Sequence, residues 1–535
     1  MNRVVLFLIC LLSLQGVVAQ TVYEPLYKSV YPFLERTAQR GVIDLNDVVL
    51  PLSRKDITNY LHTLQQKRSD LTALEKKELD YYLKEYTYET NLLFADSLLQ
   101  EEAGLSFFTL RANDRPRLIA SQSKKFTANV QPILGYDFIS NSEGGSNGTM
   151  RAGFWTQGYI GKNVGFSLDY RTSITKGDGI DYERQFTPEP GVIGQRKRNG
   201  DFVYTDLKAS LSYSWDWGAL SIGKDIMPIG YGNNGRIILS DKSPSYPLIR
   251  LDVKPLKWLA FNYAHMWLNS EVVDSSRIRY SGYGNKYQIN DVPKKMATHS
   301  VIITPFKGLS WTVGESIIYN DEVKLIYLTP VSFFRSASLQ GGEAESTTLS
   351  NSQFFTQLSS RGHIPHTHLY LSWFIDELRV EDSRRNQSSF NAGFSVTDFP
   401  LPNLTFGASY TKVRPYTYVH HMNTLDYRHA GYALGHWIGT NADQIAVDAR
   451  YRILRGLQLY ASYIKVRKGE EGNPGDQVSE VGTPFLWGDV TKYGRSLIQA
   501  EYEMTADLFF KLQYRQEKTG EVNNNSFSIG LTYGY

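Results

Sequence analysis

Three groups of residues in this sequence have the types and spacing to do chemistry. Gly230, Gly232 and Gly235 read G-x-G-x-x-G, the pattern by which a strand-to-helix turn cradles a pyrophosphate. Between Arg414 and Gln444 lie His420, His421, His429 and His436, and imidazoles gathered in one loop can bind zinc or copper. His299-Ser300 and His366-Thr367-His368 put base and nucleophile types side by side, as hydrolysis requires. Positioning counts against each group. A dinucleotide turn needs a helix after its last glycine, yet RIILSDKSPSYP follows Gly235, rich in β-branched residues and broken by Pro244 and Pro247. The three glycines therefore read as backbone permissiveness in an infolded loop. The histidine spacings match no compact ligand set, so a hydrogen-bonded loop network is expected, with no metal and no cofactor. Adjacent residues on a strand face opposite sides, and the sequence pairs neither base with an orienting carboxylate, so no enzyme is expected.

A different chemistry fits the same loops. Saccharide recognition needs flat aromatic faces for C–H surfaces and planar polar groups for hydroxyls. The loop from Arg414 offers Arg414, Tyr416, Tyr418, Tyr432, Trp437, Asn441 and Asp443, and the loop Glu271–Lys295 adds Arg279, Tyr280, Tyr283 and Tyr287. Aromatics are also plentiful at the rims of membrane barrels, where they form interfacial girdles.

The compartment follows from the first residues. Arg3, the apolar run Val4–Leu14 and Val17-Val18-Ala19 before Gln20 have the form of a secretory leader spanning residues 1–19. Cys10, the single cysteine, falls inside it, which leaves no disulfide or thiolate site. Lys and Arg number 57 against 54 Asp and Glu, so the charge is close to balanced and no nucleic-acid partner is expected. The 36 Tyr, 26 Phe, 9 Trp and 43 Gly come without a long apolar run after the leader. That excludes a helical membrane protein and suits a transmembrane β-barrel, whose strands alternate apolar and polar.

Two kinds of element would position the candidate loops. Residues 20–111 read as a small helical bundle: Ser53-Arg54-Lys55-Asp56 and Thr72-Ala73-Leu74-Glu75 open helices, Pro32 suits a first turn, and Gly41 suits a helix end. The bundle's charged outer faces call for water, and its apolar stripes could equally dock on a barrel mouth. From 124 to 535 the period is two, as in Phe166, Leu168 and Tyr170 or Leu404, Phe406, Ala408 and Tyr410. The ending SFSIGLTYGY puts Phe527, Ile529, Leu531, Tyr533 and Tyr535 on one face. Tight turns at Gly161-Lys162-Asn163, Phe306-Lys307-Gly308 and Leu454-Arg455-Gly456 alternate with long connections. The expected fold is an all-β transmembrane barrel of about 18 antiparallel strands with a small N-terminal helical bundle. Strand parity requires Val323–Ser350 to be one long external or infolded excursion; an infolded course would plug the opening.

Several stretches carry a family resemblance. GKDIMPIGYGNNGRIILSDKSPSYPLIRL resembles the Wzi-type capsule-assembly proteins in its G-(K/R)-D strand end, glycine turn and following proline. RPYTYVHHMNTLDYRHAGYALGHWIGTNADQ is similar to that family's R-P-Y-x-Y, H-x-G, L-G-H and N-A-D series. IYLTPVSFFR and HLYLSWFIDEL resemble its internal strands. VYPFLERTAQRG with PLSRKDI resembles the helical module of relatives from the Bacteroidetes. The chain departs from the pattern at Ile229, where the family tends to have Trp, and at Asp241-Lys242-Ser243, in place of an Asn-rich continuation. The resemblance implies an outer-membrane barrel with a periplasmic bundle and an occluded lumen. It also implies a non-enzymatic role in attaching capsular or other surface polysaccharide, with outer-membrane lipid and a periplasmic or capsule-export protein as partners. Two alternatives stay open: a porin-like channel lined by Arg171, Lys511, Gln513 and Arg515, and a scaffold in an envelope or secretion assembly.

Overall fold

A computed structural model describes residues 21–95, 104, 106–109, 117–143, 145–280, 287–320, 322–339, 350–377, 386–472 and 482–534. The leader, Tyr283 and Tyr535 lie outside them. The period-two segments become wall strands whose alternation runs opposite to that of a soluble sheet. On Thr367–Glu377, Leu369, Leu371 and Trp373 point outward and are exposed, while His368 and Ser372 face inward and are buried. On the last strand, Val522–Tyr533, the outward residues are Phe527, Ile529 and Leu531.

These strands form one sheet of 21 members, of which Ser106–Thr109, Arg117–Gln122 and Gly194–Arg196 are short additions. The other 18 close into an antiparallel barrel where Val522–Tyr533 pairs with Phe126–Asn141, from Ser526 opposite Asn141 to Tyr533 opposite Leu134. Arg117–Gln122 pairs with the lower part of that same first strand, Ile119 opposite Val130, so it continues the line of the last strand past its end. The expected strand number therefore holds. Ser106–Thr109 falls within the span expected to be helical, which instead has its last described helix end at Phe94. Among the described residues no helix is long and apolar enough to cross a membrane, and crossing falls to the strands.

Among the described residues four α-helices precede the wall: α1 (Val30–Gln39), α2 (Arg54–Gln66), α3 (Ala73–Glu85) and α4 (Thr87–Phe94). Ser53 caps α2 by accepting from Asp56 N–H, and Thr72 with Glu75 forms a complete capping box on α3. Gly41 follows α1 at φ +74°, as a helix-ending glycine does. Phe33, Leu34, Ile57, Leu61, Leu64 and Leu79 form the bundle core.

The bundle is seated in the mouth of the barrel at the end where the tight turns lie. Tyr23 donates to Asp252 at 2.6 Å, Tyr27 to Asp169 at 3.0 Å and Arg36 to Asp398 at 2.9 Å. Gln39 reaches Ser395 at 2.6 Å, and Arg452 of the wall pairs with Glu78 of α3. The charged faces that suggested a water-facing bundle are thus matched by a charged barrel interior.

Candidate ligand face and the luminal plug

The lumen is filled by three layers that meet each other. The first is the bundle with its α1–α2 connection, Asp44–Ser53. The second is Ile226–Ser245, the infolded glycine loop, which is almost wholly buried. The two join through backbone: Leu50 N–H donates to Pro228 O at 2.9 Å, Gly230 N–H donates to Val48 O at 2.9 Å, and Ile229 bridges both Val49 and Leu239. Gly232 and Gly235 hold φ +138° and +129°. A Cβ at Gly232 would lie 2.1 Å from Gly235 O, and one at Gly235 would strike the His436 ring, so neither position has room for a side chain. No helix follows Gly235.

The third layer is the loop between Val413 and Ala442 at the opposite, long-loop end. It turns inward because its aromatics find apolar partners in the second layer. Leu425, Tyr427, Leu434 and Ile438 join Ile237, Ile238 and Leu239 in one core with luminal Met266, Met296 and Phe374. Between α1, the glycine loop and the wall there remains a cavity of about 70 Å³. Glu35, Arg236 and Arg450 are among its lining residues; burial, then the nearby Asp47, pushes the Glu35 carboxyl up.

The candidate saccharide residues are not brought to one place. Tyr418 is buried, with its hydroxyl on Ile237 O at 2.6 Å and its N–H on Asp376 at 2.9 Å. Tyr432 is buried, its hydroxyl on Glu183 O at 2.7 Å, and Trp437 donates to Asn234 O at 2.8 Å while packing on Phe186. Tyr416 is buried at φ +60°, and Asn441 ties down Glu470 O and Leu486 N–H. The Arg414 carbonyl accepts from Asn441 N–H and Thr440 Oγ1. Asp443 faces the other side of its strand, gripped by Arg467 with Nε at 3.0 Å and by Tyr410 at 3.1 Å. Of the second set, Arg279 and Tyr280 stand on a two-strand hairpin that projects from the long-loop end. Tyr280 and Tyr287 meet there edge to face at 5.5 Å, and they are 57% and 66% exposed. A solvent-facing aromatic pair of this kind can lie against sugar faces; the buried tyrosines and Trp437 shape the plug.

Three of the four histidines of the third layer act as network acceptors, and exposed His421 packs on the His420 ring at 4.1 Å. His429 Nδ1 accepts Asn269 N–H at 2.9 Å, His420 Nδ1 accepts Met422 N–H at 3.1 Å and His436 Nδ1 accepts Ile438 N–H at 3.3 Å. Burial pushes His420 and His429 down to about 4 and His436 to about 3, which keeps them neutral. Among the described residues no three metal-ligating side chains converge. His299, which the sequence left without a carboxylate, pairs with Glu315 at 3.2 Å, because the strand register sets the two opposite each other. Ser300 faces the other side of the wall and does not join them.

Sequence reasoning missed the lysines that staple the loops. Lys242 Nζ donates to the carbonyls of Arg184, Thr187 and Glu189 at 2.5–2.9 Å. Lys294 holds the carbonyls of Asp426 and Arg428, and Lys468 those of Ile438 and Thr440. Glu189, on the loop that Lys242 fixes, bridges wall Arg495 and Arg515 at 2.5 and 3.2 Å. Burial alone would raise the Glu189 carboxyl, but the two guanidinium groups outweigh it and hold it below the ordinary range. The one signal for Lys242 was its place in the Asp241-Lys242-Ser243 departure.

Fold and site together define an outer-membrane type of β-barrel with an obstructed lumen. No protein-family model matches the chain, and no curated protein sequence does. Among solved structures it is similar to Wzi of Escherichia coli, described as an outer-membrane protein involved in group 1 capsule assembly and a carbohydrate-binding β-barrel. The TM-score is 0.58 at 11% identity, over 97% of this chain and 100% of the other. OprD of Pseudomonas aeruginosa aligns over 82% of this chain and 98% of its own, at TM-score 0.42 and 13% identity, a likeness too distant to bear on function. The likeness to Wzi is one of fold.

Proposed function

We propose that this protein is a non-enzymatic, non-conducting outer-membrane barrel that binds surface polysaccharide at its long-loop face and anchors it during capsule assembly. The bundle sits on the periplasmic side in this reading. One observation carries it: three interlocked layers fill the lumen, so its surfaces are spent on holding the plug and a ligand must be met outside. Two of the wall side chains that would suit a solute path are engaged, Arg171 over the Tyr27 ring at 4.1 Å and Arg515 on Glu189. Saccharide contact then falls to Arg279, Tyr280 and Tyr287 on the projecting hairpin. The carbohydrate-binding role of the similarly folded Wzi supports the same class of ligand.

The test is single-channel conductance in planar bilayers beside a pull-down of surface polysaccharide from the same organism. Closed bilayers with retained polysaccharide, lost in Tyr280→Ala/Tyr287→Ala while the barrel stays folded, are expected. Stable open conductance without glycan retention would sink the anchor and move the protein to the channels.

A further inference from the structure

Between Asn320 and Ser350 the chain leaves the wall, and its described part, 322–339, lies along the outside of the barrel. An infolded course was the alternative expected from the sequence; strand register rules it out. Ile318 pairs with Met296 and Met296 with Met266, all three in the luminal core, so the alternate residues Ile317, Glu315, His299 and Tyr263 point outward. It is these outward residues that the excursion covers. A 3₁₀ turn at Leu325–Leu328 and a short helix, Phe334–Leu339, set Tyr327 and Phe334 against Tyr263, Ile317 and Tyr319. Tyr263 donates to Tyr327 O at 2.7 Å, and Phe334 N–H donates to Glu315 Oε1 at 2.6 Å. The Phe334 ring lies 4.5 Å from His299. The strap thus gives the Tyr263 hydroxyl and Glu315 Oε1 partners and covers wall polar groups that would otherwise face hydrocarbon, where each would be costly.

Its own outer surface is apolar. Leu325 and Val331 are 79% and 82% exposed, and Phe333 and Ile326 are exposed beside them. We propose that this strap is a lipid-contacting element, seated at the leaflet nearest the long-loop end with Leu325, Ile326, Val331 and Phe333 against acyl chains. Continuity with the wall carries the choice of occupant. Phe333 lies 5.8 Å from Phe354, which is paired with Glu315. One step further along the same outward rows come Val313 and Thr356, then Trp311 and Leu358, then Leu371 and Trp373 on the next strand, most of them exposed as a lipid-facing belt is. Backbone groups of the strap are turned inward on themselves, Tyr327 N–H to Lys324 O at 3.0 Å and Ser332 N–H to Thr329 O at 3.1 Å, as irregular backbone at interfacial depth requires. Lys324 and Arg335 flank the apolar residues with the charge that phosphate-bearing headgroups attract. The inference rests on the barrel and its register and is independent of the ligand of the long-loop face.

The test replaces Cys10, the single native cysteine, by Ser and introduces Val331→Cys or Phe333→Cys for labelling with an environment-sensitive fluorophore. Leu371→Cys in the belt and Tyr287→Cys on the projecting hairpin are the references. In phosphatidylcholine–phosphatidylglycerol vesicles, brominated acyl chains should quench the strap sites to within about twofold of the belt reference, and aqueous iodide should not. Iodide quenching equal to that of the hairpin reference would overturn the proposal. Shielding from both quenchers would also overturn it, by showing that protein and not lipid covers the strap. Each variant is checked for the heat-dependent gel mobility of a folded barrel, and Leu325→Cys supplies the same readout if the others fail to fold.

Discussion

Asp47 is the residue whose loss should loosen the plug most directly. It accepts from both terminal guanidinium nitrogens of Arg361, at 2.7 and 2.8 Å, and from the Tyr231 hydroxyl at 2.8 Å, so it ties the α1–α2 connection to the wall and to the glycine loop at once. All three residues are buried, Arg361 with 5% of its side chain exposed. In Asp47→Ala the guanidinium stays behind without its carboxylate, which costs about 3–5 kcal/mol. Thiol labelling of Leu239→Cys, buried at the plug centre in the Cys10→Ser background, reads the opening equilibrium when closing outpaces labelling. At 1.4 kcal/mol per decade, Asp47→Ala should speed labelling by about two to three and a half orders of magnitude. Arg361→Met added to Asp47→Ala should recover most of that loss, because no orphan charge then remains. A labelling rate unchanged within about threefold, or strictly additive effects of the two substitutions, would refute a plug closed by this pair.

Three further outcomes are expected. Unfolded imidazole titrates near 6.5, and burial holds His436 at about 3, so the unfolded chain binds the extra proton between those values. His420 and His429, held at about 4, do the same, so the folded loop's stability is complete above pH 6.5 and falls below it by about 1.4 kcal/mol per pH unit for each of the three imidazoles. Proteolysis of the loop between Val413 and Ala442 should accelerate at pH 4.5, and His436→Gln should make the dependence shallower by about a third, leaving the shares of His420 and His429; a flat wild-type profile contradicts the burial argument. Trp437→Ala removes the contact with Phe186 and the donor to Asn234 O, at a cost of about 3–5 kcal/mol, read by the same Leu239→Cys labelling. Lys242→Met deprives three carbonyls of their donor and should open new tryptic cuts at Arg184, Arg196 or Arg198; an unchanged digest would show that the loop is held elsewhere.

Local chemistry determined much of this molecule. Ser53 and Thr72 announce their helices because a cap needs only a neighbouring N–H, and the alternation of Leu404, Phe406, Ala408 and Tyr410 specifies a two-faced strand because the strand period is two. Turn spacing and parity then fix the 18-strand barrel and deny Val323–Ser350 a place in the wall. Gly232 and Gly235 were legible as backbone freedom because RIILSDKSPSYP cannot continue as a helix. What sequence could not give is which surface each loop meets. Tyr418 and Trp437 have the same composition cues as Tyr280 and Tyr287, yet the first pair is buried in the lumen and the second projects from the barrel. A closed barrel has an inside as well as an outside, and a loop of aromatic residues can satisfy itself in either. The His299–Glu315 pair, the three lysine staples and the strap on the outer wall likewise depend on register and on contacts between distant segments, which only the assembled barrel brings together.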